Sequence, residues 1–361
     1  MNRIAGLDLI RATAIVLVVL NHTVEIVCGL HVAEVVNRMS EGAQWFALLA
    51  FTLARCGVPL FFFLSGYLLL PRGFDQQSTE KFYRRNWLTL LATWELWIVL
   101  YNLFIAALDG MTLNDETAFI IDLHEFQFDA LIREMIFVEA VGMMHVWYIG
   151  VILGIYLFIP FVARVLPTIT DNQLLALSSI AFAYYFVLPT VDRLFDVDLK
   201  LWIDLSFSGG LYGFYVVIGY LLKRFEPTID RTVNNIALLV STIGLIAIIA
   251  AVQLEFYRVG DAFMIWYDFC LLPIAAAGLF IALRRAAVSN ALIDVLSRGS
   301  FGIYLLHAPL LILPVKFDVF STLGRSAKTC CWLITVVALA SVIVKIFSVA
   351  PTVQRILFRS K

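Results

Sequence analysis

Charge is scarce in this sequence: Asp, Glu, Lys and Arg make up 15% of its residues, against about a quarter in soluble domains. With 61% hydrophobic residues and a mean hydropathy of +0.90, the chain reads as a polytopic membrane protein. A net charge of −1 provides no basic face and argues against a nucleic-acid partner. Cysteine is sparse as well. Cys28, Cys56, Cys270, Cys330 and Cys331 have no metal-ligand spacing and lie in or beside apolar segments, so they read as small buried hydrophobes. No Walker loop, Rossmann glycine pattern or zinc spacing appears, and no permanently bound cofactor or metal is expected. Low-complexity linkers and internal repeats are also missing, which makes one domain over residues 1–361 the simplest organisation. The N-terminal apolar run is interrupted by Arg11 and His22 and is followed by no small-x-small site, so it is expected to remain as a helix.

Long apolar runs dominate what is present. Crossing about 30 Å of hydrocarbon takes about 20 residues. Ten stretches are candidates, the fifth and sixth of them short: 7–30, 44–70, 86–108, 145–166, 174–191, 207–223, 234–254, 263–284, 299–317 and 329–351. An all-α bundle of about ten transmembrane helices is therefore expected. With a cytoplasmic N-terminus, fifteen of the 26 Lys and Arg fall on the inner side and eight on the outer, and Arg11, Arg55 and Lys345 lie within helices. That bias satisfies the positive-inside rule with both termini cytoplasmic. The longest polar interval, 109–144, holds eight acidic residues against Arg133 alone. Its stretch Phe126 to Met144 has helical periodicity, and an amphipathic helix at the outer interface is expected there.

The first run carries Asp8, Arg11, His22 and Glu25 on an otherwise aliphatic segment. Such groups cost about 2.5–3.5 kcal/mol each near a bilayer midplane on insertion scales. Arg11 and His22 are eleven residues apart, so a helix sets them within about 20° of one face and roughly 16 Å apart. Asp8 and Glu25 sit three residues outside that pair, on neighbouring ridges. The polar stripe reads as the lining of an internal cavity. His22 can serve as a hydrogen-bond strut, or Glu25 can hold one ring nitrogen and leave the other free as a base. Arg11 and Arg55 either pair with Asp8 or Glu25 to hold the bundle, or bind an anion. Arg84 and Arg85, with Arg72 and Lys81, form a basic cluster at the mouth of the third span, which topology or a phosphorylated donor would explain equally well.

Other embedded polar groups are Glu95, Asp268 in Trp266-Tyr267-Asp268, and His145 in His145-Val146-Trp147-Tyr148. Tyr304 and His307 lie one turn apart in the ninth run. His31 and His124 fall in loops and have no particular case. In the second run Gly57 and Pro59 should break or kink the helix near mid-membrane, and Ser65 and Gly66 permit close helix approach.

Four blocks occur in order: Arg11 followed by ten residues and then His22; Gly57-Val58-Pro59-Leu60-Phe61-Phe62-Phe63-Leu64-Ser65-Gly66-Tyr67; His145-Val146-Trp147-Tyr148; and Gly302-Ile303-Tyr304-Leu305-Leu306-His307. Together they resemble the acyltransferase family 3 membrane enzymes, over essentially the whole chain. The Phe-Phe-Phe-Leu-Ser-Gly-Tyr wording is similar to the surface-polysaccharide branch, which includes the enterobacterial common antigen O-acetyltransferase. The resemblance implies a multi-pass enzyme of a bacterial inner membrane. It would take an acyl group, usually acetyl, from cytosolic acyl-CoA (acetyl-CoA) and pass it to a hydroxyl of a cell-envelope polysaccharide or lipid-linked sugar. It implies His22 as the catalytic histidine, with Arg11 as its family partner and Glu25 beside it. Donor binding would fall to Arg55, Arg84, Arg85, Ser65 and Tyr67, and the remaining pocket to Asp8, Glu95, His145, Trp147, Tyr148, Asp268, Tyr304 and His307. Relatives often carry two arginines three apart at the third span, whereas Arg84 and Arg85 are adjacent. General-base catalysis by His22 and an acyl-histidine relay are both open. So is self-association into a homo-oligomer. A transporter or flippase of a glycan precursor is the rival reading, since buried charges and broken helices suit it too. A third reading is a non-catalytic partner of a polysaccharide synthase.

Overall fold

The computed structural model describes residues 5–108, 121–123, 125–199, 203–206, 209–316, 319–347 and 349–358. The described chain is helical, and an isolated bridge between Ile121 and Met143 is its one β-type pairing. The helices are α1 (Ala5–Cys28), α2 (Ala33–Asn37), α3 (Glu41–Arg55), α4 (Gly57–Leu69), α5 (Gln76–Phe82) and α6 (Leu88–Ala107). After the polar interval come α7 (Phe128–Met135), α8 (Trp147–Val165), α9 (Asp171–Phe182), α10 (Leu188–Phe195), α11 (Gly210–Arg224) and α12 (Glu226–Thr232). The chain ends with α13 (Asn235–Arg258), α14 (Leu271–Ala286), α15 (Ala291–Lys316), α16 (Arg325–Phe347) and α17 (Pro351–Phe358). Single π-turns, Tyr83–Trp87 and Ala183–Val187, join α5 to α6 and α9 to α10 into long rods.

Eight helical stretches among the described residues are long and apolar enough to cross a membrane, rather than the ten expected. The sixth and eighth expected spans are helices of 15 and 16 residues. At 1.5 Å per residue they reach about 22–24 Å, short of the roughly 30 Å of hydrocarbon. Apolar composition extended the eighth run back to residue 263, but the backbone from 261 to 266 has no regular structure. Irregular backbone at that depth survives only where protein satisfies it. Here Gln253 Oε1 accepts from the Ile265 amide at 3.1 Å, and the Tyr215 hydroxyl donates to the Tyr267 carbonyl at 2.7 Å.

α1 is the hub, packed against α3, α4, α14, α15 and α16. By contrast α13 presents Ile236, Leu239, Val240 and Ile243 outward, the i, i+3, i+4, i+7 stripe of a lipid-facing helix. Lipid is as apolar as the side chains, so contact geometry decides which helices associate. A Cβ on Gly66 would overlap the Val216 carbonyl oxygen, and one on Gly219 that of Phe63, so α4 and α11 meet backbone to backbone. The α3–α4 rod is interrupted at Cys56. Pro59 has no N–H for the carbonyl four residues back, that of Arg55.

The interfacial helix is shorter than the expected Phe126–Met144. α7 stops at Met135 because Phe137 takes a positive φ of 61°, and the Val138 amide turns back to the Arg133 carbonyl at 2.8 Å. Leu131 and Glu134 face the bundle, Glu134 bonded to Asn102 of α6, while Phe128, Ile132 and Ile136 face outward. Residues 109–120 and His124 lie outside the described residues.

Candidate active site

The i, i+3 spacing of His22 and Glu25 on α1 brings His22 Nδ1 to 2.9 Å from Glu25 Oε2. A carboxylate only accepts, so Nδ1 carries a proton, and Nε2 is the nitrogen that bears the lone pair in the neutral ring. The His22 side chain is 12% exposed and that of Glu25 1%, so the imidazole, unlike the carboxylate, can be reached. Arg55 meets the other carboxylate oxygen, Nη2 to Oε1 at 3.3 Å, and is itself 4% exposed. A buried charge pair is tolerable when both partners have further bonds. The Arg55 guanidinium has them: Nη1 donates to the Tyr267 hydroxyl at 3.5 Å. It also lies 4.6 Å from the Phe51 ring centre, 5.0 Å from Trp266 and 5.3 Å from Tyr267, within cation–π range. The break at Cys56 sets Arg55 at the end of α3, and the irregular segment after α13 supplies the aromatic cover.

A second group adjoins this one. The His307 ring from α15 stacks on His22, with centroids 5.4 Å apart and planes at 28°. His145, just before α8, meets His307 edge-on at 4.8 Å. The Tyr101 hydroxyl of α6 lies 3.2 Å from His145 Nε2, and the Tyr304 hydroxyl donates to the His145 carbonyl. Tyr148 packs 5.7 Å from Tyr304, and Trp147 bridges to Tyr267 at 5.5 Å and Tyr212 at 5.0 Å. Elements far apart in sequence thus converge on His22.

Of the residues singled out in the sequence, His22, Glu25, Arg55, His145, Trp147, Tyr148, Tyr304 and His307 form one connected group. Arg55 belongs with the histidines, through Glu25, rather than with the basic cluster. The others lie elsewhere. Arg11 pairs with Asp8 at 3.2 Å, Asp8 also accepts from Ser297 Oγ at 2.8 Å, and the Arg11 side chain is 36% exposed. Arg84, 74% exposed, pairs with Glu80 at 3.0 Å, and Arg85 is exposed on the same π-turn. Ser65 bonds the Phe61 carbonyl at 3.1 Å and meets the Tyr156 hydroxyl at 3.2 Å. Tyr67 sits under the Lys223 ammonium, 4.9 Å away. Glu95 is half-buried on α6, and its Oε2 has no hydrogen-bond partner among the described residues. Asp268 is half-buried beside Tyr267.

Sequence reasoning missed Phe51, Tyr101, Tyr212 and the Trp266–Tyr267 pair as parts of the group. Aromatic residues are too common in apolar helices to stand out. The one available signal was the Trp94, Trp97, Tyr101 stripe on α6, whose members are buried whereas Glu95 is not. His31, dismissed as a loop residue, lies close enough to Glu25 to feel its charge. Burial holds its imidazole below the ordinary value, while Glu25 pulls the other way.

A multi-pass helical membrane protein with a buried His–Glu–Arg assembly is what fold and geometry define. The family model described as an acyltransferase domain, that of acyltransferase family 3, matches residues 4–347. This chain belongs to that family of membrane acyltransferases. Neither a curated protein nor a solved structure matches it.

Proposed function

We propose that the protein transfers an acyl group, acetyl in the simplest case, from acyl-CoA to a hydroxyl of a cell-envelope polysaccharide or lipid-linked sugar. The membrane would be the bacterial inner membrane, with the donor arriving from the cytosol. The observation that carries this reading is the bond from His22 Nδ1 to Glu25, itself anchored by Arg55. A glycan hydroxyl is a weak nucleophile, and a positioned base raises its reactivity as the bond forms. In this scheme His22 Nε2 takes the hydroxyl proton while the oxygen attacks the thioester carbonyl carbon. The carbon–sulfur bond then breaks, and the imidazolium returns its proton to the CoA thiolate. Glu25 fixes the tautomer and stabilises the transient imidazolium, and Arg55 holds Glu25.

With the orientation the basic residues predict, His22 lies six residues from the outer end of α1, about 9 Å along the axis. Arg11 lies nearer the cytoplasmic end. The acyl arm would therefore reach past Arg11 to His22, and Arg11, Arg84 and Arg85 remain candidates for the CoA phosphates. Membership of an acyltransferase family favours this reading over transport.

Acyl-CoA turnover by purified protein tests it. His22→Ala should lower CoA release by at least about 100-fold, the usual scale for losing a general base. Equal turnover with and without the imidazole would remove His22 from the chemistry. A trapped acyl-enzyme lost on the same substitution would point to the relay.

A further inference from the structure

Two imidazoles beside His22 are fixed so that each leaves one nitrogen bare. His307 Nδ1 lies 2.5 Å from the Tyr304 carbonyl oxygen. That oxygen can only accept, so Nδ1 carries the proton and Nε2 the lone pair. His145 Nε2 lies 3.2 Å from the Tyr101 hydroxyl, whose single proton goes to the Leu305 carbonyl at 2.7 Å. His145 Nε2 is therefore the donor to Tyr101, and its Nδ1 holds the lone pair.

His307 Nε2 and His145 Nδ1 are both buried without a hydrogen-bond partner among the described residues, and the two residues are 0% and 2% exposed. An unmet buried acceptor costs about 1–3 kcal/mol, and a leucine or phenylalanine in either place would avoid it. The neighbouring hydroxyls do not satisfy them, since Tyr101 donates to Leu305 and Tyr304 to the His145 carbonyl. With the rings 4.8 Å apart, the pair is built to accept protons from a ligand. Two neutral acceptors repel phosphate and carboxylate. A neutral polyhydroxyl compound fits this chemistry.

We infer that His307 Nε2 and His145 Nδ1 form a hydroxyl-binding subsite, which grips hydroxyls of the acceptor sugar and presents another to His22. This rests on the acyl-transfer reading above, with His307 and His145 acting as positioning residues. The test uses the full chain in detergent, with methyl glucoside as acceptor and fully O-methylated glucoside as control. Methyl glucoside should accelerate CoA release from acetyl-CoA, and the methylated sugar should not. His307→Met and His145→Phe should raise the sugar KM by about tenfold or more while moving the acetyl-CoA KM far less. His307→Gln and His145→Asn return an acceptor oxygen near the lost nitrogen and should restore most of the sugar affinity. Equal sugar KM values for the Met and Gln variants would overturn the subsite. Imidazole ¹⁵N shifts of the wild-type chain give a reading that needs neither donor nor variant. The His307 Nε2 resonance should move with methyl glucoside and not with its methylated form, and a resonance indifferent to both overturns the proposal. Wild-type protein that never turns over acetyl-CoA would instead count against the acyl-transfer reading, with the nitrogen shifts still judging the subsite.

Discussion

Arg55 carries a large electrostatic risk, because it is a permanent cation with almost no exposure. Its neutralisation depends on Glu25, and Glu25 in turn is shared with His22. Arg55→Ala leaves a buried carboxylate with half of its partners and should cost about 3–5 kcal/mol of stability. The drop is measured by thermal unfolding in detergent. Adding Glu25→Ala should cost less than the sum of the two single changes, since the second substitution removes the stranded charge. At this scale the sequence was partly legible. The spacing of His22 and Glu25 predicted their contact, because three residues along one helix fix it. The pairing of Arg55 with Glu25 was one of the alternatives the residues left open, and since it spans thirty positions and two helices no local rule could select it.

Helix contacts in this bundle depend on small residues, and Gly66 shows why. Any side chain there meets the Val216 carbonyl, so Gly66→Ala should push α4 from α11 and cost about 1–3 kcal/mol. Gly42→Ala, where nothing lies within 4 Å, is the control and should leave the melting temperature unchanged. Outside the membrane, α12 is tied to the end of α14 by Asp230, which accepts from Arg284 and, at 3.0 Å, from Arg285. The hydrogen bond from Arg284 holds the Asp230 carboxyl below the usual carboxylate range. A lowered folded-state value means that stability is present above the ordinary carboxylate pKa and is lost as pH falls through the lowered one. The Asp230 side chain is 41% exposed, so solvent screening keeps the effect below about 1 kcal/mol. Asp230→Asn should lower the melting temperature slightly at neutral pH and show no difference from wild type in strong acid.

The whole molecule closes through its C-terminus. The last carbonyls of α17 accept from Thr93 Oγ1 at 2.8 Å and Trp97 Nε1 at 2.7 Å, and Phe358 is 2% exposed against Trp97, Phe347 and Gly302. The last carbonyls of a helix need such donors when they are buried. Removing residues 351–361 should uncover the Trp97 face and cost at least about 3 kcal/mol, the scale of losing one buried phenylalanine. Thermal stability of the truncated protein, measured against the full chain, checks this.

Composition alone determined the membrane setting and the all-α class, because 61% hydrophobic residues cannot be folded away from water in a chain of this size, and long apolar segments satisfy their backbones in lipid as helices. Four ordered motifs pointed to the family. The number of full-length crossings was not legible, since apolar runs look alike whether they form a long helix or, as at 263–270, an irregular segment supported by Gln253 and Tyr215. Nor could the sequence say which buried polar residues of different helices meet. The convergence of His22, His145 and His307, and the separation of Arg11 and Glu95 from them, depend on how helices from opposite ends of the chain rotate and cross. That is decided by close packing at glycines and by the demand that every buried charge find a partner.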